Sequence, residues 1–344
     1  MKKEGIPRVS IISPILNVEK YITKTLESIL NQSFQDWELI IMDGQSKDRT
    51  LEIVNVYAKK DLRIRIYSEP DEGVAHAADK GYQLARGEFI TIVCGQDGFL
   101  DKEWLQKCVD VFDKDPTISL VWGLSKMMAD DGTLLKNYYD VGFDHLIYKE
   151  TKFQIFSHLI KKSFVILRDI LFGSSQRRRF LLRKFFSHNA TLRTRLLLDR
   201  SFSHENVLQK EGWFCYWLNT GIPFSDQSMV VDRKVFLRCT PRYEKGSRAV
   251  AYVTDFYFNF NSLGYLSCFL PIYPVFVRWH PQQSGAWGAE KIHVSFEAYL
   301  DKVRMFRGFL LKERVGMVFV DRDGVPLSDL TLSNEVLCRK CHVF

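Results

Sequence analysis

The chain has 344 residues, 46% apolar and 26% charged, which excludes a disordered chain, a collagen and a small disulfide-stapled scaffold. Lys and Arg exceed Asp and Glu by seven. The excess is local: residues 145–210 hold 14 Lys or Arg against 4 Asp or Glu, which leaves the rest of the chain net acidic.

The first 123 residues alternate between two hydrophobic periods. Residues 9–12 form a short β-type run, and residues 19–31 place Tyr21, Ile22, Leu26, Ile29 and Leu30 at helical spacing. Strands follow at 38–42, 64–67, 89–93 and 119–122, separated by helices over 51–57, 75–85 and 104–112. Strand–helix alternation with short connections predicts a doubly wound, mostly parallel α/β sheet. Strands with little polar alternation predict burial on both faces.

In such a sheet, ligands bind beyond the carboxyl ends of the strands. The residues there are polar and acidic. Ser13, Pro14 and Asn17 follow the first strand, Asp43 to Thr50 the second, Asp71 to Gly73 the third, and Cys94-Gly95-Gln96-Asp97-Gly98 the fourth. No G-x-G-x-x-G follows the first strand and no G-x-x-x-x-G-K-[ST] occurs, which removes the dinucleotide and P-loop readings. Asp48 reads as a cap of the following helix and Asp71 as a turn residue as well as a ligand contact. Asp43 and Asp97 directly follow apolar strands, where an acid has no packing purpose.

These pieces, in this order, resemble the inverting family 2 glycosyltransferases with the GT-A fold. The matching residues are Val9 to Pro14 with Asn17, Ile40 to Thr50, Asp71-Glu72-Gly73 with Asp79-Lys80-Gly81, and Ala85 to Ile90. The resemblance implies a nucleotide-sugar donor, of the UDP type, with Pro14, Asn17, Asp43, Asp71 and Asp97 on the nucleotide side. It implies Asp43 on the base, and Asp97 on the ribose or on a Mg2+ or Mn2+ ion. The chain departs from the family where Gly98 stands in place of a second acid, and at His76 and Asp79.

A second cluster spans 219–285. Gln227-Ser228 precedes β-like runs at 229–231 and 235–237, Asp255 opens an aromatic-rich helix, and a strand at 274–279 leads to His280 and Ser284. This resembles the acceptor half of the same family. The resemblance implies Asp255 as general base, with Gln227, Arg278 and His280 on the diphosphate or the acceptor. A sugar hydroxyl is a poor nucleophile at neutral pH, so a positioned carboxylate is the group such chemistry needs. As a plain helix N-cap, Asp255 would also be accounted for.

Within 145–210, Phe153, Phe156, Ile160, Phe164, Leu167 and Leu171 make one apolar stripe beside basic clusters such as Arg177-Arg178-Arg179. This reads as a membrane-surface helix, a self-association surface, or a subdomain packed on the core. No nucleic-acid-reading motif accompanies it. The uncharged run 256–277 contains Pro271 and Pro274 and reads as helix then strand rather than as a membrane span. Residues 290–313 predict a last helix. Cys338, Cys341 and His342 match a haem-attachment spacing in what reads as an ordinary tail.

The expected organisation is a nucleotide-sugar half at 1–123, a connecting β segment at 124–144, the basic helical insertion at 145–212, an acceptor and catalytic half at 213–288, and a C-terminal helix and tail at 289–344. Seven scattered cysteines and no apolar leader suggest a cytoplasmic protein, peripheral on the cytosolic face of the membrane. The expected partners are a nucleotide-sugar donor and a glycan or lipid-linked acceptor, with no nucleic acid. The rival reading is a non-catalytic sugar-nucleotide-binding or scaffold protein that keeps the fold.

Overall fold

The computed structural model describes residues 5–135, 210–221, 226–245, 249–278 and 289–333. The basic segment apart from Lys210, His280, Ser284 and the Cys338–His342 tail therefore lie outside the described residues.

The first four strands are β1 (Val9–Ile15), β2 (Trp37–Asp43), β3 (Ile64–Ser68) and β4 (Phe89–Ile92). The helices between them are α1 (Ile22–Leu30), α2 (Thr50–Ala58) and α3 (Val74–Leu84). Every residue of β1 and β2 is buried, including Ser10, Ser13, Glu38 and Asp43 among the apolar ones. Further on come β5 (Gly98–Phe99), α4 (Trp104–Lys114), β6 (Ile118–Trp122) and β7 (Ser125–Met128). The C-terminal part supplies α5 (Lys210–Thr220), β8 (Val230–Asp232), α6 (Arg233–Cys239), α7 (Ala249–Ser262), β9 (Leu266–Phe269) and β10 (Val275–Arg278). It ends in α8 (Ala289–Lys312), β11 (Met317–Val320) and β12 (Pro326–Leu332).

Seven strands form one sheet in the order β3-β2-β1-β4-β8-β6-β9. All pairings are parallel except those of β8, which runs antiparallel to β4 and β6. A small sheet, β5-β10-β7, lies at the end of β4, and β11 and β12 make a hairpin. α3 packs on β1 and β2, and α7 packs on α3, α6 and α8. Truncating a fully buried side chain of this core, such as Ile11 or Leu39, would cost about 2–5 kcal/mol.

Three local expectations are corrected. Pro14 lies inside β1, opposite Met42, and not in the loop after it. It is tolerated because β4 pairs with β1 only as far as Ile12; the Pro14 carbonyl then accepts the Gly95 amide at 3.2 Å instead. Residues 235–237 are helical: Asp232 accepts the Lys234 and Val235 amides at 2.8 and 3.1 Å and so starts α6. Asp255 does not open its helix, because α7 begins six residues earlier. Among the described residues no helix is long and apolar enough to cross a membrane.

Candidate active site

The loops after β1 and β2 are fastened to each other. Asn17, at φ 50°, accepts the Lys47 amide on Oδ1 at 2.7 Å, and its own amide donates to Ser46 Oγ at 2.9 Å. A short polar side chain that bonds locally suits this left-handed position. Asp48 accepts the Thr50 amide at 3.0 Å, as a helix-start acid should, and also the Glu19 amide at 3.0 Å. Burial pushes the Asp48 carboxyl upward, but the bonds from Thr50 and Glu19 outweigh it and leave it below the usual range.

Asp43 ends β2 and is 1% exposed. Its carboxylate takes the Ser46 amide at 3.1 Å, Ser46 Oγ at 2.5 Å and Ser68 Oγ at 2.6 Å. The acid therefore shapes the loop from beneath. Asp71 leans over the same loop: a Cβ on Gly44 would sit 2.5 Å from Asp71 Oδ2, so only glycine permits the approach. Asp71 Oδ1 accepts the Gly73 amide at 2.7 Å, just ahead of α3. Asn17, Asp43 and Asp71 thus meet at the carboxyl edge of the sheet.

Asp97 lies beyond the neighbouring strand, 4% exposed. Its Oδ1 accepts the main-chain amide of Arg278 at 2.9 Å, which joins the β4 loop to β10. Thr25 Oγ1, from α1, reaches the carbonyls of Gly95 and Asp97 at 3.0 and 2.6 Å. Gly98 has no room for the second acid of the family pattern. A Cβ there would lie 2.7 Å from the Phe276 ring and 2.6 Å from Ser28 Oγ. The residues near β4 thus offer a divalent cation one carboxylate, Asp97, and among the described residues no group of three or more His, Cys, Asp or Glu could hold a metal. That fits a cation whose remaining ligands are phosphate oxygens and water.

Arg278 is 4% exposed, and its guanidinium donates to the carbonyls of Gln96, Ala129 and Asp130 at 3.1–3.3 Å. Gln227 lies in the turn before β8, and its Oε1 is buried with no hydrogen-bond partner among the described residues. Asp255 is half-buried on α7, and Lys302 of α8 donates to its Oδ1 at 2.6 Å. The described contacts do not join Asp255 to the Asp97 loop.

Four features went unread in the sequence. Lys20 donates to Asp130 at 2.7 Å and Tyr21 Oη donates to the same carboxylate at 2.5 Å. Burial, then the bond to Asp130, pushes the Tyr21 hydroxyl up. His76 stacks on Tyr243 with centroids 4.6 Å apart, and Tyr243 Oη donates to Glu72 at 2.9 Å. Arg242 pairs with Asp79 at 3.2 Å. The segment 242–243 thereby lies over the start of α3, next to the Asp71 loop. All four join residues far apart in the chain, and no spacing rule exposes such pairs.

The mostly parallel sheet with its acidic carboxyl edge, crossed by one antiparallel strand, is a mixed α/β architecture of the GT-A type. Residues 10–173, a little under half of the chain, match the profile of the family described as Glycosyl transferase family 2. Over 135 residues it is 34% identical to a chondroitin synthase of Pasteurella multocida, covering 39% of this chain and 14% of that protein. The chain thus spans only about a seventh of that relative's length. The fold is similar to that of S. aureus TarS 1–349 in complex with UDP-GlcNAc (TM-score 0.52, 15% identity, 89% of this chain and 71% of that one). It is also similar to the mannosyltransferase PcManGT of Pyrobaculum calidifontis in complex with GDP-Man and Mn2+ (TM-score 0.50, 15% identity, 99% and 70%).

Proposed function

We propose that this chain transfers a sugar from a nucleotide-sugar, of the UDP type, to a hydroxyl of a glycan or lipid-linked acceptor, with inversion. The observation that carries this reading is the convergence of Asn17, the Asp43 loop and Asp71 at one sheet edge, inside the segment that matches the family 2 profile. The likeness to a chondroitin synthase supports a glycan as product.

Loop 44–46 and Asp71 would receive the base and ribose, with Asp43 holding that loop rigid. Asp97 would face the diphosphate. A Mg2+ or Mn2+ ion, when bound, would be held by Asp97 and would supply positive charge to the departing diphosphate. Gln227 Oε1 would accept a hydroxyl of donor or acceptor; a buried carbonyl left unpaired costs about 1–3 kcal/mol. Arg278, through its charge, and His280 would stand on the diphosphate or acceptor side. Asp255 would take the proton of the attacking hydroxyl as its oxygen displaces the diphosphate from the opposite face of the anomeric carbon. The basic segment 145–210 would meet a membrane surface or a second copy of the chain.

The test is Asp255→Asn. Transfer should be lost while UDP binding stays near that of the parent chain. Transfer that survives removes Asp255 from the role of base.

A further inference from the structure

We propose that the pocket between the first turn of α1 and the turn after β7 is an acceptor-side subsite for an anionic group, a phosphate or a carboxylate, held by Lys24 with Arg278. This rests on the transferase reading above. The pocket has a volume of about 420 Å3, within the range of sites that take a sugar-sized group. Three cations line it against two carboxylates, which leaves one positive charge over; Lys20 and Tyr21 are engaged by Asp130, and Asp131 accepts the Thr133 amide.

Lys24 is the telling group. Among the described residues it pairs with no carboxylate; its Nζ contacts Met128 Sδ at 3.6 Å and the Phe276 ring at 5.4 Å. The Arg278 guanidinium approaches the same ring, at 5.9 Å, and its hydrogen-bond partners are neutral carbonyls. Both residues line the pocket, so an anion in it is attracted to both. The pocket adjoins the proposed reaction centre, because Arg278 also gives its amide to Asp97. The contacts of Lys24 run to β7 and β10, whereas Glu19, ahead of α1, contacts the loop after β2.

The experiment titrates inorganic phosphate and, separately, glucuronate into the full chain saturated with UDP and Mg2+, by calorimetry. We expect one of them to bind and Lys24→Gln to weaken it about tenfold, with Lys24→Arg restoring most of the affinity. Lys24 is exposed, so these variants should fold. Stronger binding of phosphate assigns a phosphate-bearing acceptor, and stronger binding of glucuronate an acidic sugar. Affinity unchanged in Lys24→Gln, binding of neither anion, or binding seen only without UDP overturns the subsite; the last would make it part of the donor's diphosphate site. Absence of UDP binding in the first step instead removes the transferase reading.

Discussion

The amide of Arg278 donates to Asp97 Oδ1 at 2.9 Å. This bond fastens β10, the middle strand of the small sheet, to the loop that follows β4, so the carboxylate proposed to face the diphosphate also orders that loop. Asparagine keeps an oxygen for the Arg278 amide but carries no charge. Asp97→Asn should therefore hold its melting temperature within a few degrees while transfer falls at least 100-fold. Asp97→Ala should lose both. Equal transfer by Asp97→Asn and the parent chain would remove the charge from the mechanism.

Restoring the family's second acid should fail. Gly98→Asp drives a Cβ into the Phe276 ring and Ser28 Oγ, contacts that cannot relax without moving β10. The melting temperature should fall by on the order of 5 °C, with no gain in metal affinity. A stable variant that binds Mn2+ more tightly would contradict this geometry.

Glu38, 2% exposed, is a hub away from the site. It accepts Ser10 Oγ at 2.7 Å and the Arg86 amide at 2.8 Å, and it pairs with Arg65 and Arg86 at 2.9 and 2.8 Å. Burial alone would raise its pKa, but the bonds from Arg86, Ser10 and Arg65 prevail and hold the carboxyl below the usual glutamate range. Its contribution to stability is therefore complete above the unfolded pKa and is lost as the pH falls through the lower, folded value. Glu38→Gln should cost about 3 kcal/mol at neutral pH, and the gap from the parent chain should narrow in acid. Urea melts at pH 7 and pH 4 check both points.

Arg242 and Asp79 form an unequal pair. The Asp79 side chain is 7% exposed, that of Arg242 69%. Arg242→Ala strands a buried carboxylate, whereas Asp79→Asn removes the charge that needed a partner. Arg242→Ala should thus cost about 1 kcal/mol, discounted for the exposure of the arginine, and Asp79→Asn less. The reverse order in denaturant melts would refute the assignment.

The alternation of β1 to β4 with α1 to α3 was legible because each strand is short and mainly apolar and each helix has one apolar face. Asp48 reads in the sequence as the cap of α2; the cap position falls instead on Arg49, and Asp48 bonds the Thr50 amide from one residue before it. The helix at α6 was not: Val235 and Phe236 suit a strand equally well, and the Asp232 cap decides between them. The β11–β12 hairpin escaped because β11 is only four residues long and β12 is mostly exposed. At the site, Asn17, Asp43, Asp71 and Asp97 stood out as polar residues after apolar strands. What each one touches did not, because Asp43 meets Ser68 and Asp97 meets Arg278 across 25 and 181 residues.

The central claim is that the carboxyl edge of this sheet binds a nucleoside diphosphate beside Asp97. Calorimetric titration of UDP, GDP and dTDP, each with Mg2+, with Mn2+ and with EDTA, tests it most directly. The account predicts that UDP binds, that a divalent cation tightens it, and that Asp97→Asn abolishes the gain from the cation. Binding of none of the three nucleotides would contradict it.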